Sequence, residues 1–302
     1  IITVPLIPGT NLVEAECTSV DGIRSLREQL NILCTAPAKS KTWFVGIGID
    51  RFSATGHDLN YSVKDIRDLA AKCRERFGEE LVIDTLFNEA VSISAVKALK
   101  AKLNKTAVND KVIVAYSGHG LLSKDFDYYL STYQVNFEEP EQNGLAYEEL
   151  ENLLDQIPAR KKIMLLDACH SGEVDKEEMT RITAAADSLQ QEGTKGGKPT
   201  YTGKTTLGMR NSFELMQSLF VNVGRSTGAT IISAAAGTQF ALERGDLKNG
   251  VFTYSILEAL NKYPSIKISE LKKLVGERVG QLTKGLQQPT SRSEVMMVDW
   301  SL

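Results

Sequence analysis

The sequence predicts an α/β fold with a mostly parallel central sheet flanked by helices. From Thr42 onward, short apolar runs alternate with stretches of near-helical periodicity, the pattern of a parallel sheet joined by helical crossovers. Three of those runs, WFVGIGI, KVIVAY and KIMLL, are strongly apolar. At 302 residues, with 42% apolar and 24% charged residues, the chain can also bury a full core.

The first 40 residues are poorly patterned, with one strand and a helix near Ile23–Leu33 expected there. Trp43–Ile49 is the first strong strand. A helix over Ser62–Phe77 follows, in which Val63, Ile66, Leu69, Ala70, Cys73 and Phe77 recur at near-helical spacing. Strand Leu81–Phe87, helix Ser94–Leu103 and strand Lys111–Tyr116 continue the series, then strand Tyr128–Ser131, a helix near Tyr147–Ile157 and strand Lys162–Leu166. The rhythm stops at residues 173–211, which are polar and rich in Lys, Gly, Thr and Glu and read as a long exposed loop. Beyond it come a helix at Phe213–Val223, strand Ala229–Ala235, helices Phe252–Tyr263 and Ser269–Leu282, and a last strand over Val295–Trp300. The expected organisation is one domain over residues 41–302, with residues 1–40 as an N-terminal extension or linker.

A formal net charge of −3 gives no reason to expect nucleic acid or an anionic membrane as a partner. No apolar run approaches the roughly 18 residues that cross a bilayer. The opening IITVPLIPGT has neither the start of a secretory signal nor an initiating Met, so the expectation is a longer natural chain or a processed one. Cys17, Cys34, Cys73 and Cys169 are irregularly spaced, without a CxxC pair or clustered histidines, which argues against a zinc site or a disulfide framework. Reduced thiols in the cytoplasm are expected.

Two small-residue segments stand directly after apolar strands: Tyr116-Ser117-Gly118-His119-Gly120 after KVIVA, and Asp167-Ala168-Cys169-His170-Ser171-Gly172 after KIMLL. Loops leaving the carboxyl ends of parallel strands share one edge, where ligands bind. His119 and Cys169 are therefore expected to meet there. A free thiol has a pKa near ~8.5, so an imidazole that takes its proton turns it into a nucleophile and can later protonate a leaving amine. The N–H groups of Gly120 and Cys169 are the expected oxyanion hole. His170, adjacent to the nucleophile, and His57, in the loop after the first strong strand and without flanking glycines on both sides, are weaker candidates for the base.

These segments resemble the caspase clan of cysteine peptidases, and in particular the metacaspases and their bacterial relatives, the orthocaspases. His119 lies fifty residues before Cys169, the interval typical of caspases, but the cysteine signature is the acidic D-A-C-H-S-G form. The likeness extends to Leu59–Asp65 (LNYSVKD), to Ser233–Glu243 (SAAAGTQFALE) and to Gly250-Val251-Phe252-Thr253, covering roughly residues 42–298. It implies a caspase-like three-layer sandwich and a cysteine endopeptidase. It also implies an S1 pocket, for the side chain preceding the scissile bond (P1), lined by Asp65, Ser117 and Asp167. Two carboxylates there would repel an acidic P1 residue and attract Arg, then Lys. Asp65 has a second reading, since Ser62-Val63-Lys64-Asp65 also fits a helix capping box.

Residues 173–211 are either a processing segment, with Lys195, Lys204 and Arg210 as basic sites, or a passive insertion. No cofactor is required. Some metacaspases use calcium, but the acidic residues near Asp125, Asp127, Asp175 and Glu177 form no transferable ligand pattern, and no EF-hand loop is present. The expected partners are a protein or peptide substrate and an upstream sensor or repeat module in the same chain. The alternative is a catalytically silent caspase-like scaffold; a different cysteine acyl-transferase or amidase built on the same dyad is a third reading.

Overall fold

The computed structural model describes residues 3–6, 8–36, 39–125, 127–168, 227–235, 241–293 and 299–302, and the backbone of 191–194. Strands β1 (Gly9–Ala15) and β2 (Glu28–Cys34) pair antiparallel as a separate two-stranded sheet. The helix expected near Ile23–Leu33 is therefore not formed. A helix there would need a core to receive its apolar stripe, whereas Ile23, Leu26, Leu30 and Leu33 all remain exposed, and pairing with β1 satisfies the backbone instead.

The central sheet contains β3 (Thr42–Gly48), β4 (Leu81–Phe87), β5 (Lys111–Ser117), β9 (Lys161–Asp167), β11 (Thr230–Ser233) and β14 (Thr290–Ser293), in the spatial order β14-β11-β9-β5-β3-β4. All neighbours run parallel except β14, which is antiparallel to β11. Side chains alternate between two buried layers. Phe44, Ile113, Ala115, Ile163, Leu165 and Ile232 face one way; Val45, Ile47, Val112, Val114, Tyr116, Met164 and Leu166 face the other. Burial on both faces is why these strands read as continuous apolar runs.

Helices α1 (Ser62–Phe77), α4 (Val251–Lys262) and α5 (Ile268–Thr283) cover the first layer through Ile66, Leu69, Phe252, Ile256, Leu271 and Val275. On the second lie α2 (Ile93–Leu103), α3 (Tyr147–Glu151) and a small sheet of β6 (Gly120–Leu122), β7 (Tyr128–Leu130) and β8 (Leu145–Ala146). The result is the expected three-layer sandwich. Each fully buried aliphatic or aromatic side chain contributes about 1.5–3 kcal/mol to holding it together. Helix α1 seats closely on β3: a Cβ at Gly46 would stand 2.5 Å from the Ile66 side chain. A third small sheet joins β10 (Gln191–Thr194), β12 (Leu242–Arg244) and β13 (Asn249–Gly250), with β12 in the middle.

Two further elements differ from expectation. α3 stops at Glu151 rather than continuing to Ile157, although Leu153, Leu154 and Ile157 are buried as the periodicity requires. There the backbone bonds tighten to the i−3 type, Gln156 takes a positive φ of 51°, and the Lys100 ammonium binds the carbonyls of Asn152 and Asp155. Among the described residues the last strand of the sheet is the polar Thr290–Ser293, which no hydrophobic pattern marks because it lies at the sheet's edge. Arg292 ties it to the buried Glu151. Of the expected strand Val295–Trp300, residues 294–298 lie outside the described residues; beyond them, Ser301 bridges Lys267. The expected helix Phe213–Val223 also lies outside them, as does residues 173–211 apart from β10. No helix among the described residues is long and apolar enough to cross a membrane.

Candidate active site

Parallel pairing brings the carboxyl ends of three strands level, with Gly48 opposite Ser117 and Ser117 opposite Asp167. The residues singled out from sequence start at this edge. His119 sits between β5 and β6, and its main chain is gripped by one neighbour. Its N–H donates to Ser131 Oγ at 3.1 Å, and its carbonyl accepts from the Ser131 N–H at 2.9 Å. The Tyr116 hydroxyl lies 3.1 Å from the same carbonyl and 2.8 Å from Ser131 Oγ. Gly118 is required for this clamp, because a Cβ there would come within 2.5 Å of the Tyr116 hydroxyl and 2.6 Å of the Ile49 side chain.

His119 is buried, with 2% of its surface exposed, and packs near Phe52 and edge-on to Phe137, at centroid distances of 5.2 and 5.4 Å. Its Nε2 lies 2.7 Å from the backbone carbonyl of His57. A carbonyl can only accept, so Nε2 carries the hydrogen and Nδ1 is the basic nitrogen. His57 thus contributes its main chain, while its ring stacks on Phe137 at 3.7 Å. No residue type advertises a carbonyl, so this contact has no sequence signature beyond its place in the loop after β3.

Asp65, fully buried in the first turn of α1, accepts from Ser117 Oγ at 3.1 Å, Asn249 Nδ2 at 2.9 Å and the Gly250 N–H at 3.0 Å. Asp167, at the end of β9, accepts from the Thr253 hydroxyl at 2.6 Å and the Thr253 N–H at 3.3 Å. Both carboxylates therefore bind the amino end of α4, where unpaired N–H groups and the helix dipole favour negative charge. This arrangement explains how two acidic groups can be buried at the same helix end. The alternative role for Asp65 as a local cap is not seen: α1 has no side-chain cap from Tyr61, and its amino end is served by the distant Glu243 and by Asp50. The sequence marks Gly250 and Thr253 only through the G-V-F-T segment, and Asn249 not at all.

Gly120 opens β6, the edge strand of its sheet, opposite Leu130. The ladder bond from Ser131 N–H to His119 O flanks that pair, which turns the Gly120 N–H away from β7. Cys169 and His170 lie outside the described residues; the chain is described as far as Ala168, one residue past β9. Asp65, Ser117 and Asp167 are thus gathered at one edge, with His119 and Gly120 immediately beyond Ser117. Among the other cysteines, Cys73 is in the core, where burial pushes its thiol up to about 12 and keeps it protonated at neutral pH. Cys17 is exposed and Cys34 half-buried, both in the N-terminal segment. Among the described residues, no group of three or more His, Cys, Asp or Glu side chains is placed to hold a metal ion.

A family model for the caspase domain of peptidases matches residues 43–297. Among solved structures, the chain is similar to the crystal structure of a Geobacter sulfurreducens protein determined as a structural-genomics target. The identity is 19% and the TM-score 0.58, covering 84% of this chain and 93% of that one. That likeness speaks for the fold. No curated protein sequence matches significantly. With the family match extending over most of its length, the chain belongs to the caspase-domain family.

Proposed function

We propose that the chain is a cysteine endopeptidase that hydrolyses peptide bonds after basic residues, arginine above lysine, with Cys169 as nucleophile and His119 as base. The observation that carries this reading is the pair of buried carboxylates, Asp65 and Asp167, beside a histidine whose Nε2 is committed to the His57 carbonyl. In the proposed sequence, His119 Nδ1 takes the Cys169 proton and the thiolate attacks the P1 carbonyl. The oxyanion is held by the N–H groups of Gly120 and Cys169, each worth about 3–4 kcal/mol in the transition state. The imidazolium then protonates the leaving amine as the C–N bond breaks. Water, deprotonated by His119, hydrolyses the thioester and returns the thiol. This chemistry draws on no cofactor, and its partners are protein or peptide substrates.

Matched fluorogenic peptides differing only at P1 test the proposal. Arg is expected to exceed Lys, with Asp essentially uncut; equal or faster cleavage after Asp would refute the pocket assignment, and no cleavage of any peptide would favour the silent scaffold.

The same specificity predicts self-processing. β10 runs antiparallel to β12 with Thr194 opposite Leu242, which lays part of the 173–211 segment along a strand next to the acidic site. Mass spectrometry is expected to find a cut after Lys195, Lys204 or Arg210 in wild type and none in Cys169→Ala. A cut that persists in the variant would mean that another protease makes it.

A further inference from the structure

We propose that Glu243 is a positioning residue for His119, acting through the His57–Tyr61 segment; its catalytic consequence rests on the function proposed above. Glu243 lies in the middle of β12, fully buried, more than 180 positions away in sequence from the groups it binds. One carboxylate oxygen accepts from the Asn60 N–H and the other from the Tyr61 N–H, each at 3.0 Å. A carboxylate that receives two successive N–H groups fixes the direction of a segment as well as its position, and such charge-assisted bonds are stronger than neutral ones.

That segment is the exit of the arch carrying the His57 carbonyl. The arch is closed at its neck by the Leu59 N–H on Asp50 O at 3.0 Å, by Arg51 on Leu59 O at 2.7 Å, and by the Phe52 N–H on Asp58 Oδ1 at 3.3 Å. These bonds hold the arch together internally. Its entry is tied to the rest of the fold by Asn88 Oδ1, which accepts from the Asp50 and Arg51 N–H groups, and by the Tyr133 carbonyl, which accepts from the Ser53 N–H. Glu243 ties its exit, and with them sets how the arch sits against the imidazole. The His57 carbonyl can accept the Nε2 hydrogen at 2.7 Å only if that attitude is held.

A local Ser, Thr or Asp would have been the economical cap for α1, at far less desolvation cost than a buried glutamate from a remote strand. Glu243 is also the cross-strand partner of Gly250, whose N–H holds Asp65. One short strand pair therefore supports both the base and the acidic pocket.

The test combines imidazole nitrogen NMR with steady-state kinetics on Glu243→Ala and Glu243→Gln. With three histidines in the chain, His57→Asn and His170→Asn variants assign the His119 signals. Wild type is expected to show His119 as the single Nε2–H tautomer. In Glu243→Ala the tautomers are expected to mix, with kcat on a P1-Arg peptide falling about 10- to 100-fold, as a misplaced base predicts, and KM staying within about twofold. Glu243→Gln, which keeps one acceptor oxygen, should fall between, and it decides by the same readouts if the alanine variant does not fold. An unchanged tautomer and kcat in a folded variant, even one with a lower melting temperature, would overturn the proposal by reducing Glu243 to a stopper for α1. Wild type with a fixed tautomer but no peptidase activity would instead refute the proposed function while the NMR arm still reads the role of Glu243.

Discussion

Replacing Cys169 by alanine is expected to lower kcat on a P1-Arg peptide by about 10⁴- to 10⁶-fold, the range seen when a nucleophile that works as a unit with its base is removed. His119→Ala should approach the same loss, because an unassisted thiol with a pKa near ~8.5 is only a few per cent thiolate at neutral pH and the leaving amine has no acid. The double variant should be no slower than either single one, since each alone already breaks the proton relay. Single-turnover kinetics with the three variants would check this. A His119→Ala enzyme retaining more than about a tenth of wild-type kcat would show that another group is the base. The variant removes a ring packed near Phe52 and Phe137, so its melting temperature must be recorded beside its activity.

The second large effect concerns charge. At about 4 Å, a guanidinium and a carboxylate attract by roughly 4 kcal/mol at an effective dielectric near 20, and losing half of that to desolvation leaves about 2 kcal/mol. Asp167→Asn is therefore expected to reduce kcat/KM for P1-Arg peptides by about 30-fold while leaving a P1-citrulline peptide, of the same shape without the charge, within about threefold. Asn can still accept from the Thr253 hydroxyl through its remaining oxygen, so the fold should tolerate the change. Asp65→Asn should show the same loss of charge selectivity with an added stability cost of about 1–3 kcal/mol. Its carboxylate serves Ser117, Asn249 and Gly250 together, and an amide cannot accept from all three. Parallel loss on both peptides would mean that these carboxylates support the architecture without reading P1.

How much of this was legible in advance follows from where each interaction is encoded. The sheet could be read because β5 and β9 are buried on both faces and so are written as unbroken apolar runs, KVIVAY and KIMLL. Gly118 and His119 stood out because a tight clamp against Tyr116 and Ile49 excludes any side chain at 118. Asp65 was ambiguous from sequence because a carboxylate three residues after a serine at a helix start looks the same whether it caps that helix or faces another. The bonds from Ser117, Asn249 and Gly250 involve partners 52 to 185 positions away. The His57 carbonyl and the double hold of Glu243 were illegible for a related reason: one donor set is backbone, the other contact is backbone, and neither depends on a recognisable local spacing. In the N-terminal hairpin Leu26, Leu30 and Leu33 fall at a helical interval by chance, so the sequence reads there as a helix, and only the pairing partner decides between the two.

In the proposed function a single thiol, activated by His119 and approached through an acidic pocket, carries the reaction. Labelling the intact chain with an irreversible peptidyl ketone bearing P1 arginine, then mapping the adduct by mass spectrometry, tests it most directly. One adduct per chain is expected, on Cys169, suppressed in Asp167→Asn, with Cys73 spared because burial pushes its thiol up to about 12. An adduct spread over Cys17 and Cys34, or labelling of Cys169 that is indifferent to the P1 charge, would contradict it.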